Sequence, residues 1–204
     1  MMTYDEADKV IKAINRQNLR IFSRLKSRLM KTDELHVIRE VTSAYDESMA
    51  FVKRCFLGIA RLAYFQGLKD AGSKKKRNPI DEDWLLDYFL MMTDEATRYK
   101  FIPEFERKKA RLIEALAVAP DKGMEIDKAL RLLTRQIGWG AVSVVDKATV
   151  KAFEDADVEL VEWVSMHDHR VCDECWDRNG MIYEIKKVPP KPHGGCRCKL
   201  KPVR

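Results

Sequence analysis

From Asp33 onward the apolar residues Leu35, Ile38, Tyr45, Met49, Val52, Phe56, Ile59 and Ala63 fall at alternating steps of three and four, with Thr42 in the remaining slot. Such stepping lays one stripe along a helix, a seam that needs a partner. An earlier segment repeats it through Ala7, Ile11, Ile14, Phe22, Leu25 and Leu29, with Asn18 standing where an apolar residue is expected. The first 70 residues contain no proline and two glycines, so nothing there breaks a helix strongly. Two long antiparallel helices joined near Lys31 to Asp33 pair the two seams most simply.

The clearest interruption is SKKKRNP at 73–79, a basic loop by composition. Beyond it Asp81 is placed to cap a segment whose Trp84, Leu85, Tyr88, Phe89 and Met92 form one apolar face. Pro103 and Pro120 sit where first-turn prolines sit, and they predict helices running to about Val118 and through the 125–153 region. Gly138 and Gly140 flank Trp139 inside the second of these, which suggests a kink or a close helix approach.

After Asp157 the texture changes. VELVEWVS is rich in β-branched and aromatic residues, and MIYEI is a second short strand introduced by Asn179 and Gly180, a hairpin signal. The expected fold is therefore mainly α: an elongated helical body over 1–157 and a small C-terminal β-hairpin module over 158–204.

Cysteine placement sharpens that division. Of five cysteines, four fall in the last 33 residues. Cys172 and Cys175 form a C-x2-C pair, and His193, Cys196 and Cys198 follow after a hairpin-sized interval. Zinc takes four nitrogen or thiolate donors at tetrahedral corners, and a two-residue spacing lets one tight turn present two sulfurs. Cys172, Cys175 and His193 are the favoured ligands. Cys196 and Cys198 compete for the fourth place, because one intervening residue in an extended chain points them to opposite faces. Disulfides or buried free thiols are the alternative reading of the same residues. A zinc ion here is expected to be structural, since thiolates close the shell and a module of about forty-five residues is too small to rely on its own core. Cys55 reads as a packing residue of the second helix and His36 as helix surface.

Charge narrows the partners without naming one. The formal net charge is +6 and the pI about 9.0, which favours nucleic acid or an acidic protein surface. Arg16, Arg20, Arg24 and Arg28 recur every four residues. With Lys74, Lys75, Lys76, Arg77 and Arg197 they are candidate contacts to phosphate or to an acidic partner, each with a solvated surface as the plainer reading. From Lys186 to Arg204 there are seven basic residues and no acidic one. No run approaches the roughly twenty apolar residues of a membrane span, and the N-terminus is acidic and polar; the chain reads as soluble and unexported.

The terminal residues Trp163-Val-Ser-Met-His-Asp168-His-Arg170-Val-Cys172-Asp-Glu-Cys175, then Gly180, then Pro189-Pro-Lys-Pro-His193-Gly-Gly-Cys196-Arg197-Cys198, resemble the ending of the Mu F-like head morphogenesis (minor capsid or minor head) proteins of tailed bacteriophages. The resemblance covers about the last forty-five residues, and more loosely the helices from about Arg107. Two positions depart from it: Thr134 is followed by Arg135 where many relatives have an acid, and Gly195 stands where relatives often have asparagine. The resemblance implies a non-catalytic virion component made in the host bacterial cytoplasm, bound to portal and capsid or scaffold proteins in several copies, with relatives implicated in DNA packaging or delivery. Some relatives carry an extra domain after the cysteines; with Arg204 six residues beyond Cys198, none is expected. The rival readings are a zinc-dependent nuclease or hydrolase using His167, Asp168 and His169, and a zinc-containing DNA-binding protein.

Overall fold

The computed structural model describes residues 4–29, 34–75, 78–91, 100–166, 171–193 and 196–203. It is mainly helical, with a small three-stranded antiparallel sheet near the C-terminus. The long helices are α1 (Tyr4–Leu29), α2 (Glu34–Asp70), α4 (Phe101–Val118) and α5 (Lys122–Asp155), with a shorter α3 (Glu82–Met91) between α2 and α4. The joint between α1 and α2, Met92, and the side chains of Ala7, Leu35 and Phe89 lie outside the described residues.

The α1 seam is buried as its spacing predicts, through Ile14, Asn18, Phe22, Leu25 and Leu29. Asn18 accepts a hydrogen bond at 2.8 Å from Ser48 Oγ of α2. A polar slot in one seam is thus answered by a polar residue in the other, which favours this pairing over shifted ones. Arg24–Glu47 at 2.6 Å and Arg28–Glu40 at 2.9 Å join the same two helices antiparallel.

In α2 the expected stripe holds through Tyr45, Val52, Phe56, Ile59 and Ala63, all buried. Ahead of Tyr45 it does not: Ile38 is 53% exposed, while Val37, Val41 and Ala44 are inside. The reason is the position of α1, which meets the α2 edge bearing Glu40 and Glu47 and so draws in the residues on that edge.

Tyr45 packs edge-on against Phe22 of α1 and Phe105 of α4, with ring centroids 5.5 and 5.3 Å away, so three helices share one aromatic centre. Asp81 caps α3 by accepting from Trp84 N–H at 2.8 Å. Pro103 lies in the first turn of α4. Pro120 precedes its helix instead, because Asp121 takes the cap position and accepts from Met124 N–H at 3.0 Å.

The central helix is α5, which packs on α1, α2 and α4. Its glycines allow close approach. A Cβ on Gly140 would lie 2.5 Å from Phe101 Cε2 and 3.0 Å from Phe56 Cε2, whereas one on Gly138 would meet nothing within 4 Å. Gln136 holds α4 against α5, donating to Phe101 O at 2.7 Å and accepting from Lys108 Nζ at 2.9 Å.

The terminal sheet has the order β2-β1-β3, from β1 (Leu160–Val164), β2 (Ile182–Glu184) and β3 (Lys199–Pro202). Both outer strands run antiparallel to β1, with Val161 opposite Tyr183 and Pro202. Asn179 and Gly180 do turn the chain, with Gly180 at φ +79°. The turn ends a short helix α6 (Asp173–Asp177), so β1 and β2 are separated by a long excursion instead of a tight hairpin. Val161 joins Phe153 of α5 and Ile185 in a small apolar cluster that seats the sheet on the helices.

Gly140→Ala is expected to destabilise the chain by about 1–3 kcal/mol through overpacking, and Gly138→Ala to stabilise it by roughly 0.5–1 kcal/mol through helix propensity. Urea unfolding of the two variants side by side checks the sign of each.

Candidate metal centre

Two turns bring the sulfur ligands together. Cys172 stands at the N-cap of α6 with extended backbone, and Cys175 follows in its first turn. Trp176 N–H donates to Cys172 O at 2.9 Å and closes that turn. The second turn is closed by Cys196 N–H donating to His193 O at 3.2 Å. Between the turns, Arg178 Nη1 donates to Pro190 O at 2.7 Å, tying the first turn to the proline-rich strap. The floor is Trp163 of β1, 1% exposed. Its backbone N–H donates to Met181 O and its carbonyl accepts from Gly180 N–H, each at 2.8 Å. The Arg178 guanidinium lies 5.2 Å from its ring centre.

Ligand atoms of Cys172, Cys175 and His193 lie within 4.8 Å of one another, and so do those of Cys175, Cys196 and Cys198. Cys175 belongs to both groups. All five residues named from the sequence therefore meet in one cluster, and Cys175, Cys196 and Cys198 are buried.

The expectation that Cys196 and Cys198 point apart is corrected. Both reach Cys175, because β3 begins only at Lys199 and Cys196 to Cys198 lie ahead of it, outside any strand. Lys191 Nζ holds this stretch, donating to Cys198 O at 2.6 Å and to Cys196 O at 3.3 Å.

All five cysteines of the chain are free thiols. Cys175 Sγ and Cys196 Sγ are 3.3 Å apart, well beyond the about 2.05 Å of a disulfide. Two thiolates on one tetrahedral ion at about 2.3 Å would stand about 3.8 Å apart, so a small outward movement admits the ion.

The electrostatics agree with that fit. Burial, then the Cys196 thiol beside it, push Cys175 up to about 12. Hydrogen bonding with Cys198, then burial, raise Cys196 further, while the same Cys196 contact lowers Cys198. Several thiolates gathered here without a counter-charge are therefore unfavourable. A cation supplies what several neighbouring thiolates require. The described residues fit a thiolate-rich, four-coordinate ion.

The other sequence candidates are scattered. Arg16, Arg20, Arg24 and Arg28 are exposed on α1, but Arg24 and Arg28 are engaged by Glu47 and Glu40. Lys74 is exposed. Lys75 donates to Asp155 O and lies 3.8 Å from Asp157, placing its charge on the carbonyl end of α5, where a cation is favourable. Arg197 is half-buried beside the cluster. Lys76, Arg77, His167, Asp168 and His169 lie outside the described residues. Cys55 is half-buried against the main core, and His36 is exposed.

Sequence reading gave no role to Trp163 beyond its place in the terminal motif, and none to Arg178, Lys191 or Asp146. A tryptophan alternating with Val161 on an amphipathic strand was a usable signal for the floor. Arg178 pairs locally with Glu174, but the contacts that tie it, Lys191 and Asp146 to the site are with backbone carbonyls or with residues remote in sequence. Scans of the chain against protein-family models, curated proteins and solved structures return no significant match.

Cys175→Ser removes the one sulfur common to both groups and is expected to weaken Co(II) binding by about 100-fold or more. Cys55→Ser is expected to leave it within about twofold. Titration followed by thiolate-to-cobalt charge-transfer absorption compares the two.

Proposed function

We propose that the chain is a minor head protein of a tailed bacteriophage, of the Mu F-like head morphogenesis kind. It docks against portal and capsid or scaffold subunits during head assembly in the host bacterial cytoplasm, and it remains in the virion head. Its work is binding and positioning, without catalysis. The observation that supports this reading most is that the residues of the terminal motif form one spatial unit. Trp163 is the floor, Gly180 makes the turn that bonds to it, and Cys172, Cys175, His193, Cys196 and Cys198 gather above. A motif of this kind specifies a folded clasp.

The ion of the clasp is zinc. Thiolate and imidazole donors select it among the common divalent ions, and a closed thiolate-rich shell serves structure in preference to Lewis-acid chemistry. The sheet needs such an ion. It consists of one five-residue strand flanked by strands of three and four residues, too little to stand on its own burial.

The helical body supplies the docking faces. On α1, Arg16 and Arg20 have no ion pair with another described residue and are available to phosphate or to an acidic partner, unlike Arg24 and Arg28. Contact with DNA on this reading is salt-sensitive and indifferent to sequence.

Co-expression with the cognate portal protein is expected to yield a complex that co-purifies, and heads assembled without this chain are expected to lose infectivity; normal infectious heads in its absence would overturn the proposal. Arg16→Glu with Arg20→Glu is expected to reduce DNA retention by about tenfold at low salt and little at high salt, as read by filter binding across a salt series. Equal loss at every salt concentration would contradict a phosphate contact.

A further inference from the structure

One lysine ties the Cys196–Cys198 turn to the helical body. Besides the two cysteine carbonyls, Lys191 Nζ meets Asp146 Oδ2 of α5 at 2.6 Å. That oxygen is sealed from solvent and makes no well-directed hydrogen bond, so its contact with Lys191 is an ion pair, and part of the Asp146 side chain is still exposed. Burial favours the neutral acid and Lys191 opposes it. From α3, Tyr88 lies close enough to feel the same carboxylate. Lys191 itself sits between Pro190 and Pro192, on a strap anchored to Arg178 through Pro190 O, so its backbone has little freedom.

We propose that Lys191 and Asp146 form a latch through which metal occupancy of the cysteine cluster governs whether the terminal module stays docked on α5. The inference rests on the metal-clasp reading. While an ion holds the Cys196 and Cys198 sulfurs, the carbonyls of those two residues converge on the ammonium and hold its charge beside Asp146. When the ion leaves, the thiols separate, the carbonyls diverge, and Lys191 loses the two acceptors that place it beside Asp146. A sealed carboxylate oxygen with a misplaced counter-charge is unfavourable, and opening the contact to water relieves it. What otherwise holds the module is the small apolar cluster of Phe153, Val161 and Ile185 with its half-buried neighbours. Loss of metal is thereby transmitted to the end of the central helix.

Metal analysis of the full-length chain, followed by hydrogen exchange with zinc bound and after EDTA, tests the latch. EDTA is expected to raise exchange at 142–153 by about tenfold or more together with 172–198, leaving α1 and α4 unchanged. In Lys191→Met the α5 segment is expected to exchange fast even with zinc bound. In Lys191→Met with Asp146→Leu, which removes both charges, EDTA is expected to loosen 172–198 alone. If zinc is bound and its removal leaves 142–153 of the unsubstituted chain unchanged, or if the double variant still transmits the effect, the latch is overturned and the metal centre stands. If the purified chain binds no zinc, the metal centre itself fails and the latch with it.

Discussion

Three stretches of chain converge on the sulfur of Cys175: the α6 turn, the 193–198 turn and, beneath them, Trp163 of β1. The terminal module depends on that meeting. Its strands are short, its apolar contact with α5 is small, and its second turn comes from a proline-rich strap that forms no sheet until Lys199. Crowded thiols do not attract one another. Burial and mutual hydrogen bonding raise Cys175 and Cys196 above the ordinary thiol range, so an ion that accepts several thiolates converts an awkward cluster into a cohesive one.

The helical body is held by a different principle. Its stability lies in the interlocking of α1, α2, α4 and α5 around Tyr45, Phe56 and Phe101. Two small devices set the geometry: the Asn18–Ser48 hydrogen bond fixes the pairing of α1 with α2, and Gly140 lets the Phe101 and Phe56 rings reach the α5 backbone. The body and the clasp touch through Phe153 and through Lys191 with Asp146, one contact apolar and the other ionic. An apolar contact tolerates small rearrangements. A partly buried ion pair depends more closely on where its two charges are held, and the proposed latch lies at this second contact.

Much of this was legible in the sequence, for reasons that can be named. The α1 seam, the Asp81 cap and the end of α4 follow from local periodicity and capping chemistry, which the neighbouring helices reinforce. The stripe of α2 was legible only from Tyr45 onward, because ahead of it the choice between Ile38 and Val37 is made by where α1 lies. Strand β3 was not seen: KLKP alternates charge with one leucine and ends in proline, and it becomes a strand only because β1 offers Trp163 and Val164 as partners. Among the ligand candidates, the residue types were visible but the disposition of Cys196 and Cys198 was not, since it depends on the ammonium of Lys191 gathering two carbonyls.

The central claim is that sulfurs from both turns bind one ion. X-ray absorption at the zinc edge of the purified full-length chain tests it most directly. The account predicts a four-coordinate ion with a sulfur-dominated shell at about 2.3 Å. A spectrum showing only oxygen and nitrogen neighbours, or a protein without stoichiometric metal, would contradict it.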